Sequence, residues 1–431
     1  MSVSQDVAVH RVTSGESHLA VERVARESYG RLVAIICRKT NDLAAAEDAL
    51  ASALLTALET WSQSGLPVDP EAWLIRVAQR KWLDETRHSQ LRDRVLREVI
   101  SPVLALLQEK SAMHSSEDPL QDDRLAMMFA CAHPAIEPSM RTPLILQAVL
   151  GIDAGRIASA FLINPQTMSQ RLVRVKNKLK VAKIPFELPP EHEWQDRLDD
   201  VLSAIYAAYG TAFDETMSGQ SGTRALAREA IWLAHVVQKT LPQSAEAAGL
   251  YALLLFCEAR RNARRGIDGQ YVPLLEQSPE LWDGGMLDEA EAILIAAFQQ
   301  QAPGRFQWEA AIQSAHCARR HLTKEHSFVD WPAIAVLYEG LLSFAPSLGA
   351  RVAQVGALLQ ANQIEQAKER FALIPREACR TYQPWWVVSA ELAHRQGQNS
   401  QAHSDLMIAM GLTEDSAVKA FLARKAASLE F

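Results

Sequence analysis

A chain of 431 residues with 48% hydrophobic and 22% charged side chains is too long for one small domain. Its balance is that of an ordinary globular protein, which excludes fibrous, low-complexity and disordered classes. No apolar run approaches the roughly 18 residues of a membrane span, and MSVSQDVAVHR lacks the apolar core of a secretion signal, so the expected location is the cytoplasm. The net charge of −7 hides an asymmetry: residues 1–186 carry 23 Lys+Arg against 21 Asp+Glu, and the remainder carries 21 against 30, so only the first part is fit to approach nucleic acid.

Apolar positions recur with the 3.6-residue period almost throughout, and no run of alternating β-branched residues interrupts them, so the chain is expected to be all-α. A first helix is expected over about Ser17 to Thr40, with Val21, Val24, Ser28, Leu32 and Ile35/Ile36 inward. Asn41 or Asp42 caps the next, AAEDALASALLTALETW, which aligns Ala46, Leu50, Leu54, Ala57 and Trp61. After the loop SQSGLPVDP comes PEAWLIRVAQRKWLDETRH. Pro70 suits its first turn, Leu74, Val77, Ala78 and Trp82 face inward, and Trp73, Arg76, Arg80 and Arg87 share the opposite face. Arginines neutralise phosphate and an indole stacks on an unpaired base, so this stripe fits a partly melted duplex. Taken alone, this helix is better explained by a half-buried tryptophan beside solvated arginines.

Residues 101–123 (SAMHSSEDPLQDD near their end) are polar and acidic, as in a linker. RLAMMFACA and TPLILQAVL then form apolar helices, with Pro143 best placed in a first turn after Thr142. From Ala154 to Phe186 there is no Asp or Glu, while Arg156, Arg171, Arg174, Lys176, Lys178, Lys180 and Lys183 are present. Asp153 caps a short helix with Ile157, Ala158 and Phe161 inward, Asn164-Pro165 makes the turn, and Met168, Leu172, Val175 and Leu179 anchor a second helix. This is a helix-turn-helix pattern. Its second helix enters the major groove by its N-terminal end, which makes Gln166, Thr167, Ser169, Gln170 and Arg171 the base readers and sets Arg174, Lys176 and Lys178 against phosphates. A basic solvated face on an ordinary helix pair is the bland alternative.

Beyond Pro189-Pro190, amphipathic helices are expected at 195–209, 223–240, 244–261, 287–300 and 305–321, followed by shorter pairs. Tyr338 and Phe371 stand 33 residues apart; Ala367 and Ala402, and Phe371 and Leu406, stand 35 apart, with Pro346 and Pro375 closing two helices. That spacing resembles the tetratricopeptide repeat, and unrelated hairpins of similar length would also produce it. Trp385-Trp386 and the run Arg260 to Arg265 are expected as core and as a solvated helix end. No catalytic group, cofactor or metal site is expected. Asp199-Asp200 and Asp122-Asp123 lack a third carboxylate at helical spacing, and Cys131 with His133 offers too few ligands for zinc. The five scattered cysteines fit reduced, buried thiols.

The order AAEDALASALLTALETW, PEAWLIRVAQRKWLDETRH, then helix-turn-helix resembles the core of a bacterial extracytoplasmic-function sigma factor. DDRLAMMFACAHPAI, RLDDVLSAIYAAY, EAAIQSAHC and DWPAIAVLYEGLLSFAPS extend the likeness to those members with a tetratricopeptide-like C-terminal domain. The resemblance implies a tail at 1–16, a region-two domain at 17–100, a linker at 101–123, a region-four domain at 124–186 and a helical regulatory domain at 190–431. It implies docking on the polymerase β′ clamp helices through Glu47, Asp48 and Ser52, and a second contact with the β flap. It gives the minus-ten element to Trp73, Arg76, Arg80, Lys81 and Arg87, gives the minus-thirty-five element to the helix from Pro165 to Lys180, and leaves a protein or peptide regulator for the C-terminal domain. The chain departs from that pattern at Ala132, Pro143 and Arg156. A conventional helix-turn-helix regulator with a helical sensor domain is the competing reading, and it would need neither the AEDAL helix nor the Trp/Arg helix.

Overall fold

The structure is a computed structural model that describes residues 14–97, 122–161, 163–216, 222–321 and 329–429. The described residues form α-helices joined by turns and short 3-10 segments, with no strand beyond an isolated Arg265–Tyr271 bridge. Two compact units divide between Thr240 and Leu241.

In the first unit the expected opening helix is two: α1 (Ser14–Glu27) and α2 (Tyr29–Thr40). The break falls at Ser28, whose φ of −121° and ψ of 1° leave the helical region while its hydroxyl donates to Glu71 at 2.6 Å. Asn41 then ends α2 in the left-handed conformation (φ 49°), a C-terminal role that asparagine tolerates. The following N-cap is Asp42, whose carboxylate accepts from the Ala45 amide at 3.2 Å and starts α3 (Leu43–Ser64). Asp69 caps α4 (Pro70–Arg97) in the same way, accepting from Ala72 at 2.9 Å.

Next come α5 (Asp123–Cys131), α6 (Pro138–Ala148), α7 (Ala154–Ala160) and α8 (Pro165–Val181). Pro138, not Pro143, opens α6; Pro143 lies inside the helix and is buried. The expectation of a start at Thr142 fails because Pro138 already supplies the fixed φ and needs no donor in the first turn. The remaining helices of the unit are α9 (Gln195–Thr216) and α10 (Gly222–Thr240), which pair with each other and close over α5 and α6. Buried Arg124 pins that closure: it donates to Asp122 at 2.9 Å and also binds Glu229 of α10, and Trp232 Nε1 donates to the same Asp122 at 3.3 Å. Arg141 of α6 meets Asp200 of α9 at 2.8 Å. The compact unit therefore runs some way past the expected boundary at Pro189-Pro190.

The second unit is built on α11 (Ala245–Ala259), buried almost all round between α12 (Gly284–Gln299) and α13 (Arg305–Cys317). Gly249 allows that approach, since a Cβ there would lie 2.7 Å from the Gln307 amide nitrogen. Gly304 brings no side-chain cap to α13, and Glu246 of α11 substitutes, accepting from the Phe306 and Gln307 amides at 3.0 and 3.2 Å. A succession follows: α14 (Trp331–Phe344), α15 (Leu348–Gln360), α16 (Ile364–Ala372), α17 (Gln383–Arg395), α18 (Asn399–Gly411) and α19 (Ser416–Ala427). Ala367, Ala402 and Leu406 are buried in their shared core, with Tyr338 and Phe371 packed against it. Trp385 and Trp386 are core as expected, crossing edge to face at 4.9 Å, with Phe371 stacked on Trp385 at 5.0 Å. The arginine run is not a solvated end. Arg260 is buried against the Phe256 carbonyl, Arg261 binds Glu258, and Arg265 binds Asp415.

Candidate nucleic-acid interface and docking helix

The inner seam of α3 is Leu43, Ala46, Leu50, Ala53, Ala57 and Trp61, all buried, whereas Leu54 stands half-buried to one side. Small residues at three of those positions let α4 lie close. On the outer side Asp48 is exposed and Glu47 and Ser52 are half-buried. On α4, Leu74 and Ala78 are fully buried, Val77 and Trp82 half-buried, and Arg76, Arg80 and Lys81 exposed on the far face. Trp73 is divided between the two. Its ring meets buried Trp61 edge to face at 5.4 Å while part of it faces solvent. The side chain of Arg87 lies outside the described residues, as do the linker residues 101–121 and the tail residues 1–13.

The helix-turn-helix geometry follows from its caps. Asp153 accepts from the Gly155 and Arg156 amides to begin α7, and Asn164 accepts from Gln166 and Thr167 to begin α8, with Pro165 at the first helical position. The turn is closed by Ile163 N–H donating to the Ala158 carbonyl at 2.9 Å. Met168, Leu172 and Leu179 are buried and Val175 half-buried, so α8 is held by one stripe. The opposite stripe exposes Gln166, Ser169, Gln170, Arg171, Arg174 and Lys178, with Thr167 half-buried among them. Phe161, expected inward, is exposed at the C-cap of α7. The residues expected to read bases are thus presented together at the helix's amino end, with the guanidinium and ammonium groups of Arg171, Arg174 and Lys178 following on one side.

Lys176 departs from its expected position against phosphate. It is largely buried, and its Nζ binds both carboxylate oxygens of Glu47 on α3, at 2.8 and 2.6 Å. One turn on, Lys180 reaches Asp42 at 2.7 Å. The structure thus brings together one residue expected to hold DNA and one expected to face polymerase. Burial raises the Glu47 carboxyl above its usual range, and the Lys176 charge offsets this only in part. The same burial, with the charges of Glu47 and Asp48, raises the nearby Tyr29 hydroxyl.

The acidic and thiol groups have structural roles. Asp200 serves Arg141, and Asp122 serves Arg124, which together with a backbone donor holds its carboxyl below the ordinary value against the opposing effect of burial. Burial pushes the Cys131 thiol up to about 12, so it carries no thiolate at neutral pH. His133 Nδ1 accepts from the Ala135 amide at 3.0 Å and shapes the turn after α5. Among the described residues no three His, Cys, Asp or Glu side chains gather as a metal cluster. Nor is any helix among them long and apolar enough to cross a membrane.

Periodicity did not point to the contact set around Gly30, Val149, Asn41 and Phe186, which joins α2 to the α6–α8 segment. A Cβ on Gly30 would lie 1.6 Å from the Val149 carbonyl oxygen, and the Phe186 amide donates to Asn41 Oδ1 at 3.4 Å. A glycine inside a helix is the one local sign of so close an approach.

Residues 24–92, which span α2, α3 and most of α4, match the model of sigma-70 region 2. Residues 197–298 match a family of unknown function (DUF6596), and that match runs across the division between the two units. An uncharacterized protein of Rhizobium meliloti (strain 1021) is 33% identical over 341 residues, an alignment covering 78% of this chain and 77% of that protein. No solved structure matches the chain.

Proposed function

The chain belongs to the family of that Rhizobium meliloti protein and carries the sigma-70 region 2 of a transcription-initiation factor, and on that premise we propose how it selects promoters. It acts as an extracytoplasmic-function sigma factor in the cytoplasm. α3 docks on the β′ clamp helices of core RNA polymerase through Glu47, Asp48 and Ser52. The segment from Ser62 to Asp69, whose first three residues end α3, and the face of α4 bearing Trp73, Arg76, Arg80, Lys81 and Arg87 hold the melted minus-ten element. The amino end of α8 reads the minus-thirty-five element as duplex, through Gln166, Thr167, Ser169, Gln170 and Arg171, with Arg174 and Lys178 on phosphates. The helix-turn-helix module also contacts the β flap, and residues 101–123 pass along the RNA exit path. The helices beyond Thr240 form a tetratricopeptide-like domain that receives a protein or peptide regulator.

The observation that carries this reading is the exposed row on α8, from Gln166 through Arg171 and Arg174 to Lys178, on a helix whose opposite side buries Met168, Leu172 and Leu179. A helix so held offers its amino end to a groove without unfolding anything. The chemistry of transcription stays with polymerase: the sigma factor supplies binding energy that favours the melted state.

Run-off transcription with core polymerase on a genomic promoter library tests the proposal. The expected result is a discrete set of promoters used only when the chain is added. Arg171→Ala should change preference at the upstream element, with a loss of about 1–3 kcal/mol at one base pair, and Arg174→Ala should weaken binding evenly across sequences. Duplex binding without any capture of core polymerase would instead identify a conventional regulator.

A further inference from the structure

We propose that the second unit holds a binding site for the phosphate ester of a small molecule, built from Arg260, Arg319, His316 and Trp282 where α11 and α13 end together. The site lies wholly within that unit, and its chemistry is separate from the faces assigned to promoter and polymerase.

Helical spacing and three hydrogen-bonded contacts gather these residues. Gln313 and His316 stand three apart on α13, and Arg319 follows three further on in the 3-10 turn Ala318–His321, so they fall on one side. Arg260, at the end of α11, reaches that side by donating to Gln313 Oε1. The Asp283 amide donates to the Ala259 carbonyl at 2.9 Å, which draws the Trp282 segment to the same helix end. Arg319 then lies over the Trp282 ring, 5.7 Å from its centre, and donates to the Leu274 and Gln277 carbonyls at 2.6 and 3.2 Å.

The arginines of this region divide into two kinds. Arg261 binds Glu258, Arg265 binds Asp415 and Arg320 binds Asp288, each with its own carboxylate. Among the described residues Arg260 and Arg319 meet only neutral oxygens: the Phe256 carbonyl and Gln313 for the first, two backbone carbonyls for the second. Arg260 is buried, so its charge lies out of water without a counter-ion, which is costly until an anion supplies one. Arg319 is half-buried and keeps the place within reach of solvent. Beside them His316 and Trp282, each 7% exposed, leave Nδ1 and Nε1 without a hydrogen-bond partner. An indole N–H only donates, and a neutral imidazole donates from whichever nitrogen carries its proton.

Two fixed positive charges and two neutral donors match a dianion with several oxygens. A phosphate ester carries about −1.5 to −2 at neutral pH and three acceptor oxygens, and guanidinium forks meet it with paired hydrogen bonds. A carboxylate would balance one arginine and leave the other unmet.

The test uses the full chain, with methyl phosphate and sulfate as probes at constant ionic strength, followed by titration calorimetry at pH 7 and by NMR of isotope-labelled histidine rings. His316→Gln assigns the His316 signal. We expect saturable binding of methyl phosphate in a one-to-one ratio, with the His316 signal moving in step. With sulfate, which stays a dianion in acid, the His316 pKa should rise above its free value of about 4, because the anion offsets the two guanidinium charges. Arg319→Gln should weaken binding about tenfold or more, whereas Arg370→Gln, from an exposed pair with Glu339, should change it less than about twofold. Should the buried Arg260→Gln fail to fold, Arg319→Gln and the parent's His316 signal still decide. No saturable binding up to roughly 10 mM, an unmoved His316 signal, or equal affinity in Arg319→Gln would each overturn the site. Binding of sulfate without methyl phosphate would overturn the ester as its ligand. Glu325, the next acid along the chain, lies outside the described residues. Binding gained only in Glu325→Gln would show the chain's own carboxylate filling the place and would overturn the proposal.

Discussion

Lys176 Nζ lies between the two carboxylate oxygens of Glu47, 129 positions earlier in the chain, in a site from which most water is excluded. The two halves of this pair are not equivalent. Lys176→Met keeps the stem but strands a buried carboxylate, and it should cost about 1–3 kcal/mol at pH 7. Glu47→Gln keeps an acceptor and removes the charge that burial disfavours, and it should cost less than about 1 kcal/mol. The Glu47 carboxyl is raised, so the folded state binds its proton more tightly than the unfolded state. Its penalty is full above the raised value and fades as pH falls through it toward the ordinary 4.5. Urea unfolding of both variants at pH 7 and pH 5 should therefore show the gap between them narrowing.

Trp73 packs on Trp61 and, on the proposed reading, also holds the melted minus-ten element, and alanine would remove both at once. Its ring packs on Trp61, so Trp73→Ala should lower stability by about 1–3 kcal/mol as well as impair melting. Trp73→Leu retains an apolar body against Trp61 and should cost about 1 kcal/mol. In permanganate footprinting of a promoter, the leucine variant should still lose most open complex while duplex affinity changes less than twofold. Equal loss of both would assign the residue to packing.

A truncation after Thr240 should fold, and one after Pro189 should not. The shorter chain leaves Arg124 without Glu229 and Arg141 without Asp200, and it uncovers the apolar side of α5 and α6. Comparing soluble yield and the cooperativity of thermal unfolding decides this. A sharp transition at the same temperature for both would show that α9 and α10 are dispensable to the core.

His316 is buried beside Trp331, 5.5 Å between ring centres. Burial first, and then the charges of Arg260 and Arg319, lower its pKa to about 4. The unfolded imidazole, near 6.5, binds its proton more tightly than the folded one. Stability from this group is therefore full above about 6.5 and falls until the pH passes about 4, by about 3 kcal/mol in all. His316→Leu should flatten that part of the pH profile, seen as a smaller difference between urea midpoints at pH 7 and pH 4.5.

Much of this molecule was legible from short stretches of chain. The caps Asp42, Asp153 and Asn164, the proline-led starts at Pro70 and Pro165, and the buried stripe Met168, Leu172, Leu179 all depend on neighbours within about two helical turns. Their physics is local, so the all-α class and the outward row of α8 could be read directly. Even the break at Ser28 shows where this fails. A polar residue on an apolar face gave no sign that its hydroxyl would be taken by Glu71, 43 residues away.

Composition and spacing established helices, a basic module and the residues that module presents. They did not determine which charged side chains stay in water. Lys176 and Lys178 are alike as letters, and only packing against α3 turned the first inward to Glu47 and left the second exposed. The same holds for Arg124 with Glu229, Arg265 with Asp415, and the division of the chain after Thr240 rather than near Pro190. Helix periodicity is a short-range property of the backbone. An ion pair between distant segments depends on which faces meet and how much water they exclude, and that is settled only when the whole core closes.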